Sequence, residues 1–185
     1  MLARFNSKAV KVSYRPSCVH VAIMCATLAL ASCAVSSEEE HIGDDTVYVS
    51  HERYAQLYRE TIADFPHPLP EGVTFPPEPP YEPNLTGEGN GPGTAYLYWE
   101  CAWEHVYLES DSETDRAEAM THMRSLHYTE WGSQYIEDPD GIWDATLDKA
   151  ELGDLTELRS FYDGGCVFYR EANGIPHSDA ALEMM

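Results

Sequence analysis

Glu100 and Glu104 stand one helical turn apart, with Cys101 and His105 interleaved, in the run Tyr98-Trp99-Glu100-Cys101-Ala102-Trp103-Glu104-His105. Carboxyls at i and i+4 share one helix face. There, a raised-pKa acid beside its partner would suit acid/base or glycoside chemistry. The surrounding residues are aromatic, and a charge on such a face is costly unless it is paired. The two acids are therefore expected to face a cleft or to meet Arg124 or Arg159, and a solvated stripe or structural ion pair is the plainer account. Cys101, Glu104 and His105 also carry the spacing of an inverted zinc motif, with Cys in the place of its first His. His51-Glu52-Arg53 begins like a zinc-protease motif but lacks the second His. His122 and His127 are five residues apart, on different helix faces, so they do not clamp one ion.

Asp138, Asp140 and Asp144 are candidates for weak divalent-cation binding at the surface. Their segment does not make a calcium loop. With Gly141 at loop position six, Ile136 and Leu147 occupy the two ends where carboxylates are needed. Gly87-Glu88-Gly89-Asn90-Gly91-Pro92-Gly93 leads into a helix as phosphate-binding loops do. It carries Glu88, has no Lys or Arg, and places Pro92 where a donor N–H would serve, so a flexible hinge is expected instead. No nucleophile elbow or Ser/His/Asp arrangement is present, and no cofactor is implied.

The N-terminus speaks to location. Arg4, Lys8, Lys11 and Arg15 precede an apolar run ending in Leu30-Ala31-Ser32-Cys33. That run is shorter than the roughly 20 residues that span a bilayer, and it fits a signal sequence. It resembles the bacterial lipoprotein signal (lipobox). The resemblance implies removal of residues 1–32, lipidation of Cys33, and an extracytoplasmic domain held to the membrane through that lipid.

The remainder holds all 32 acids of the chain and seven of its eleven bases, a net charge of −25. Such a surface repels nucleic acid and favours cations or basic partners. Cys101 and Cys166 are the two cysteines left beyond Cys33, and in an oxidising exterior a disulfide between them is expected.

These residues need elements to position them. Residues 33–47 read as an acidic tether and 48–169 as a helical domain. A first helix is expected from a cap at Ser50 to Ala63, with Tyr54, Leu57, Tyr58 and Ile62 on one stripe. Residues 66–92 hold nine of the chain's twelve prolines and cannot be helix or central strand. Their Leu69, Val73, Phe75 and Tyr81 suggest a strap laid on the helices. A second helix, apolar nearly all round, should run from Thr94 or Ala95 to about Glu109 and occupy the middle of a bundle. Ser112 with Asp115 resembles a capping box that opens a third helix to about Trp131. A fourth helical stretch runs from Ile142 to a stop at Gly164-Gly165, with a break at Gly153. Val167-Phe168-Tyr169 reads as extended, and residues 170–185 as a C-terminal tail. The fold class is all-α: a small bundle of about four helices with a proline-rich extended strap between the first and second.

Together with Trp143, Leu152-Gly153-Asp154 and Cys166, the Tyr98–Glu104 run resembles small exported proteins of high-GC Gram-positive bacteria. The resemblance covers roughly residues 50–166 and lends no catalytic residue. The expected function is that of a membrane-anchored extracytoplasmic lipoprotein, a non-catalytic protein-interaction or structural module with an unidentified protein partner. A small surface hydrolase acting on cell-wall material through Glu100 and Glu104, or a weak divalent-cation binder, is the alternative.

Overall fold

The computed structural model describes residues 47–81 and 86–176. The signal, Cys33, all of the tether except Val47, and residues 177–185 lie outside the described residues. Seven α-helices and a short 3-10 turn make up the described part: α1 His51–Ala63, α2 Asn90–Glu109, α3 Glu113–Ser125, the turn Leu126–Tyr128, α4 Gly132–Tyr135, α5 Ile142–Glu151, α6 Thr156–Gly165 and α7 Val167–Ala172. The fold is all-α, and α2 is its axis, packed by α1, α3, α6 and α7. Val47, the last residue expected in the tether, instead accepts the Glu88 N–H at 3.1 Å.

Helix α1 starts where its cap lies: the Ser50 Oγ accepts the Arg53 N–H at 3.2 Å. Its buried stripe is Tyr54 and Tyr58, both fully covered. Helix α2 begins at Asn90, a full turn earlier than expected, with Pro92 in its first turn. Proline is tolerated there because the first N–H groups of a helix have no intrahelical partner anyway. This start also corrects the expected hinge. A Cβ on Gly91 would lie 2.7 Å from the Leu57 Cβ and 2.8 Å from the Tyr54 carbonyl oxygen. The glycine is therefore a point of close α1–α2 contact rather than a flexible joint.

Residues 64–81 form the strap, and its chemistry explains its grip. Prolines supply carbonyls without N–H groups, so the segment is rich in acceptors and short of donors. Aromatic side chains of the helices donate to them. The Trp99 and Trp103 indoles both donate to the Pro68 carbonyl, at 2.9 and 3.1 Å. The Tyr58 hydroxyl donates to Pro76 at 3.0 Å, Tyr98 to Thr74 at 3.1 Å, and Tyr54 to Tyr81 at 2.6 Å. Leu69, Val73 and Phe75 pack on the core as expected, and Phe65 joins them. Tyr81 is 55 % exposed, and it holds the strap through its backbone carbonyl.

The expected third helix ends early, at Ser125 rather than about Trp131. Helix α3 is capped by the Ser112 Oγ, which accepts the Asp115 N–H at 3.3 Å. It tightens into the 3-10 turn at Leu126, and α4 follows at Gly132. The fourth stretch breaks at Gly153, where a φ of +94° favours glycine, giving α5 and α6. Two expectations at the C-terminal end fail. Residues 167–169 are helical, and the helix continues through Ala172 into the expected tail. The reason is tertiary: Tyr169 packs edge-on against Tyr98 with ring centres 5.0 Å apart. Arg170 is buried, pairs with Asp163 at 2.9 Å and donates to the Pro176 carbonyl.

Candidate functional site

Helix α2 carries both candidate acids into the interior. Glu100 and Glu104 are 3 % and 4 % exposed, and neither lines the two described cavities of about 550 and 440 Å³. Nor does either meet the arginines expected to neutralise it. Arg124 pairs with Asp148 and Glu151 at 2.6 and 2.7 Å, and Arg159 pairs with Glu109 at 3.3 Å. The expected alternatives, a cleft or an ion pair, are both replaced by a sealed carboxyl pair. Both oxygens of Glu100 and the Oε2 of Glu104 are buried without a hydrogen-bond partner. Burial pushes the Glu104 carboxyl up to about 8, and it drives Glu100 upward too, with the neighbouring Glu104 charge adding to the shift.

Cys101 and Cys166 are joined in a disulfide, their Cα atoms 5.5 Å apart, as expected from the cysteine count. The bridge ties the middle of α2 to the joint between α6 and α7. Glu104 Oε1 lies 3.7 Å from the Cys166 Sγ. A bridged sulfur has no hydrogen to give, so a proton shared across this contact belongs to the carboxyl. The Glu104 carboxyl and the sulfurs of Cys101 and Cys166 lie within 4.8 Å of one another, but the sulfurs are bonded to each other and have no thiolate to offer a metal.

His105 does not join this group. Its Nδ1 meets the Tyr162 hydroxyl at 2.9 Å, and burial lowers its pKa, so the ring is neutral near pH 7. His122 stacks on Trp103 with ring centres 4.3 Å apart. His51 is exposed at the start of α1.

Asp138, Asp140 and Asp144 do not converge as a cation site. The Asp138 carboxylate accepts the Ile142 and Trp143 N–H groups, both at 2.8 Å, and so caps α5. Asp140 and Asp144 are exposed. The cap could have been read from an Asp four residues before the first apolar residue of α5, with a glycine between them. Buried Arg170 gave no such signal, because nothing in its neighbours marks it as interior.

The smaller cavity is mostly apolar, between the strap end and the α6–α7 joint, with Tyr81, Leu97, Trp131 and Phe168 in its lining and Glu171 among its polar residues. No family model, curated protein or solved structure matches the chain.

Proposed function

We propose that the chain is a lipid-anchored extracytoplasmic module that acts by protein contact, with the smaller cavity as the contact surface. The observation that carries this reading is the apolar recess at Leu97, Trp131 and Phe168, edged by Tyr81, a residue 55 % exposed. Exposed aromatic surface beside a preformed recess is the kind of anchor site that protein contacts use. The lipobox at Cys33 supports the membrane location, and the resemblance to small exported proteins agrees with it. The disulfide suits an oxidising exterior. With a net charge of −25 beyond the signal, the surface favours a basic partner. A hydrolase working through Glu100 and Glu104 would need both buried carboxyls uncovered before substrate could reach them.

The test places a photo-crosslinking residue at position 81 of the chain in its native membrane. A discrete crosslinked protein, lost when Leu97→Glu places a charge in the recess, is the expected result. No protein adduct from position 81, with the chain folded and lipidated, would refute the contact surface. Intact mass of the extracted chain checks the anchor. A diacylated species beginning at Cys33, absent in Cys33→Ser, is expected.

A further inference from the structure

We infer that the larger cavity binds a short zwitterionic peptide, its carboxylate on Arg116 and Tyr107 and its ammonium group on Glu113. The site is separate from the recess assigned to protein contact and does not depend on that reading. The cavity, of about 550 Å³, lies between the first two turns of α3 and the turn that joins α5 to α6, with Tyr107 of α2 in its lining. Its size falls within the roughly 300–1,000 Å³ of small-ligand sites.

Three polar groups give the ligand its chemistry. The chain carries 32 acids against 11 bases, and among the described residues every Lys and Arg except Arg116 is held in an ion pair. Arg116 lines the cavity instead. Glu113 lies three residues earlier on α3 and in the same lining, at a spacing where opposite charges ordinarily meet. The two do not pair, so a positive and a negative group stand apart in one cavity, both exposed to solvent. The third group is the hydroxyl of Tyr107, a buried residue whose O–H meets no hydrogen-bond partner among the described residues. Burial, and after it the Glu151 charge, holds this hydroxyl protonated against the opposing pull of Arg116 and Arg124. It therefore offers a donor beside the guanidinium.

Together these groups select a zwitterion. A simple anion would meet Arg116 but also Glu113 and Glu151, the latter already paired with Arg124 at 2.7 Å, in the field of a strongly acidic chain. A simple cation would be repelled by Arg116 and would gain as much from the many acids elsewhere on the surface. A ligand with both charges answers each group and brings no net charge into that field. The planar guanidinium takes a carboxylate through two parallel N–H donors. Two residues of extended chain place the charged ends about 7 Å apart, on the scale of the roughly 5–6 Å between Cβ atoms three apart on a helix. The rest of the lining suits an apolar side chain. Met120 and Ala150 are buried, Leu155 is half-buried, and Leu152 stands 88 % exposed at the turn that Gly153 makes with a φ of +94°.

The test titrates the full chain, in mild detergent at low ionic strength, with the dipeptide leucyl-leucine. Calorimetry reads affinity and stoichiometry, and amide NMR shifts read the place. One peptide per chain with a sub-millimolar Kd is expected, with shifts gathered at Tyr107, Arg116 and Gly153. Arg116→Gln should weaken binding about tenfold or more, Arg116→Lys should recover part of the loss, and Tyr107→Phe should cost several-fold. These variants spare the fold, since Arg116 is exposed and Tyr107→Phe keeps the ring. Altered ligands assign each charge to its partner. Leucyl-leucine amide, without the carboxylate, should bind the parent and Arg116→Gln equally weakly. N-acetyl-leucyl-leucine, without the ammonium group, should be indifferent to Glu113→Gln, a change that weakens leucyl-leucine itself. No saturable binding of leucyl-leucine at millimolar concentration overturns the site. So does binding unchanged by Arg116→Gln, or shifts gathered instead at Leu97 and Phe168.

Discussion

Glu104 keeps its proton in the folded chain up to a pH of about 8, because burial strips its charge of solvent, and Glu100 is shifted in the same direction. Unfolding returns each to water, where an ordinary carboxyl titrates near 4.5. Between those values the folded state holds more protons than the unfolded one, so stability must fall as pH rises. The contribution is whole below about pH 4.5 and is lost progressively as pH climbs toward 8. Denaturant midpoints for the parent chain should therefore decline from pH 5 to pH 8. The double variant Glu100→Gln/Glu104→Gln, which cannot titrate, should show a distinctly flatter profile over the same range. Parallel profiles for the two chains would mean that the carboxyls ionise normally when folded. The acid pair was legible in the sequence as a pair, since its i, i+4 spacing puts both on one face. Its state was not. Whether a carboxyl on an aromatic helix finds an arginine depends on distant segments: Arg124 is taken by Glu151 on α5, and Arg159 by Glu109 at the far end of α2 itself.

At the scale of elements, the strap is held by hydroxyl and indole donors reaching proline-segment carbonyls. Tyr58→Phe keeps the ring but removes the donor to Pro76, and should cost about 1 kcal/mol, with more if the carbonyl stays dry. Urea denaturation measures the loss, and faster proteolysis within residues 66–80 should accompany it. Gly91→Ala tests the crossing of α1 and α2. Its new methyl would meet Leu57 and the Tyr54 carbonyl below 3.0 Å, which should cost about 1–3 kcal/mol, even though alanine is otherwise the better helix former. A neutral or stabilised variant would show that α1 yields freely. These elements also mark how far local signals reach. The Ser50 cap, the buried face of α1, the proline strap, the Ser112 cap and the break at Gly153 were readable because each rests on a residue's own stereochemistry. Helix α7 was not, since Val-Phe-Tyr favours extended chain locally. Its helical state is imposed by Tyr169 on Tyr98 and by Arg170 reaching Asp163.

Across the whole molecule, two long-range terms oppose each other. The Cys101–Cys166 bridge joins residues 65 apart, and Cys101→Ala/Cys166→Ala should lower stability by about 4 kcal/mol if the bridge acts through the unfolded chain. Against it stands the self-repulsion of a chain with 32 acids and 11 bases. Arginines and Lys149 already answer some acids locally, as in Arg59–Glu78 and Lys149–Glu157 at 2.6 and 2.5 Å, but exposed pairs of this kind contribute little each. Sodium chloride should therefore raise the melting temperature steadily, because screening weakens repulsion between carboxylates spaced within a Debye length of about 10 Å at 0.1 M. Calcium chloride compared at equal ionic strength separates screening from binding. Asp138 already spends both carboxylate oxygens on the backbone of α5, and Asp140 and Asp144 remain at the surface. The two salts should consequently give closely matched rises. A larger rise with calcium, abolished by Asp138→Asn together with Asp140→Asn, would instead mean that the loop before α5 gathers a cation and that its cap is the ligand set.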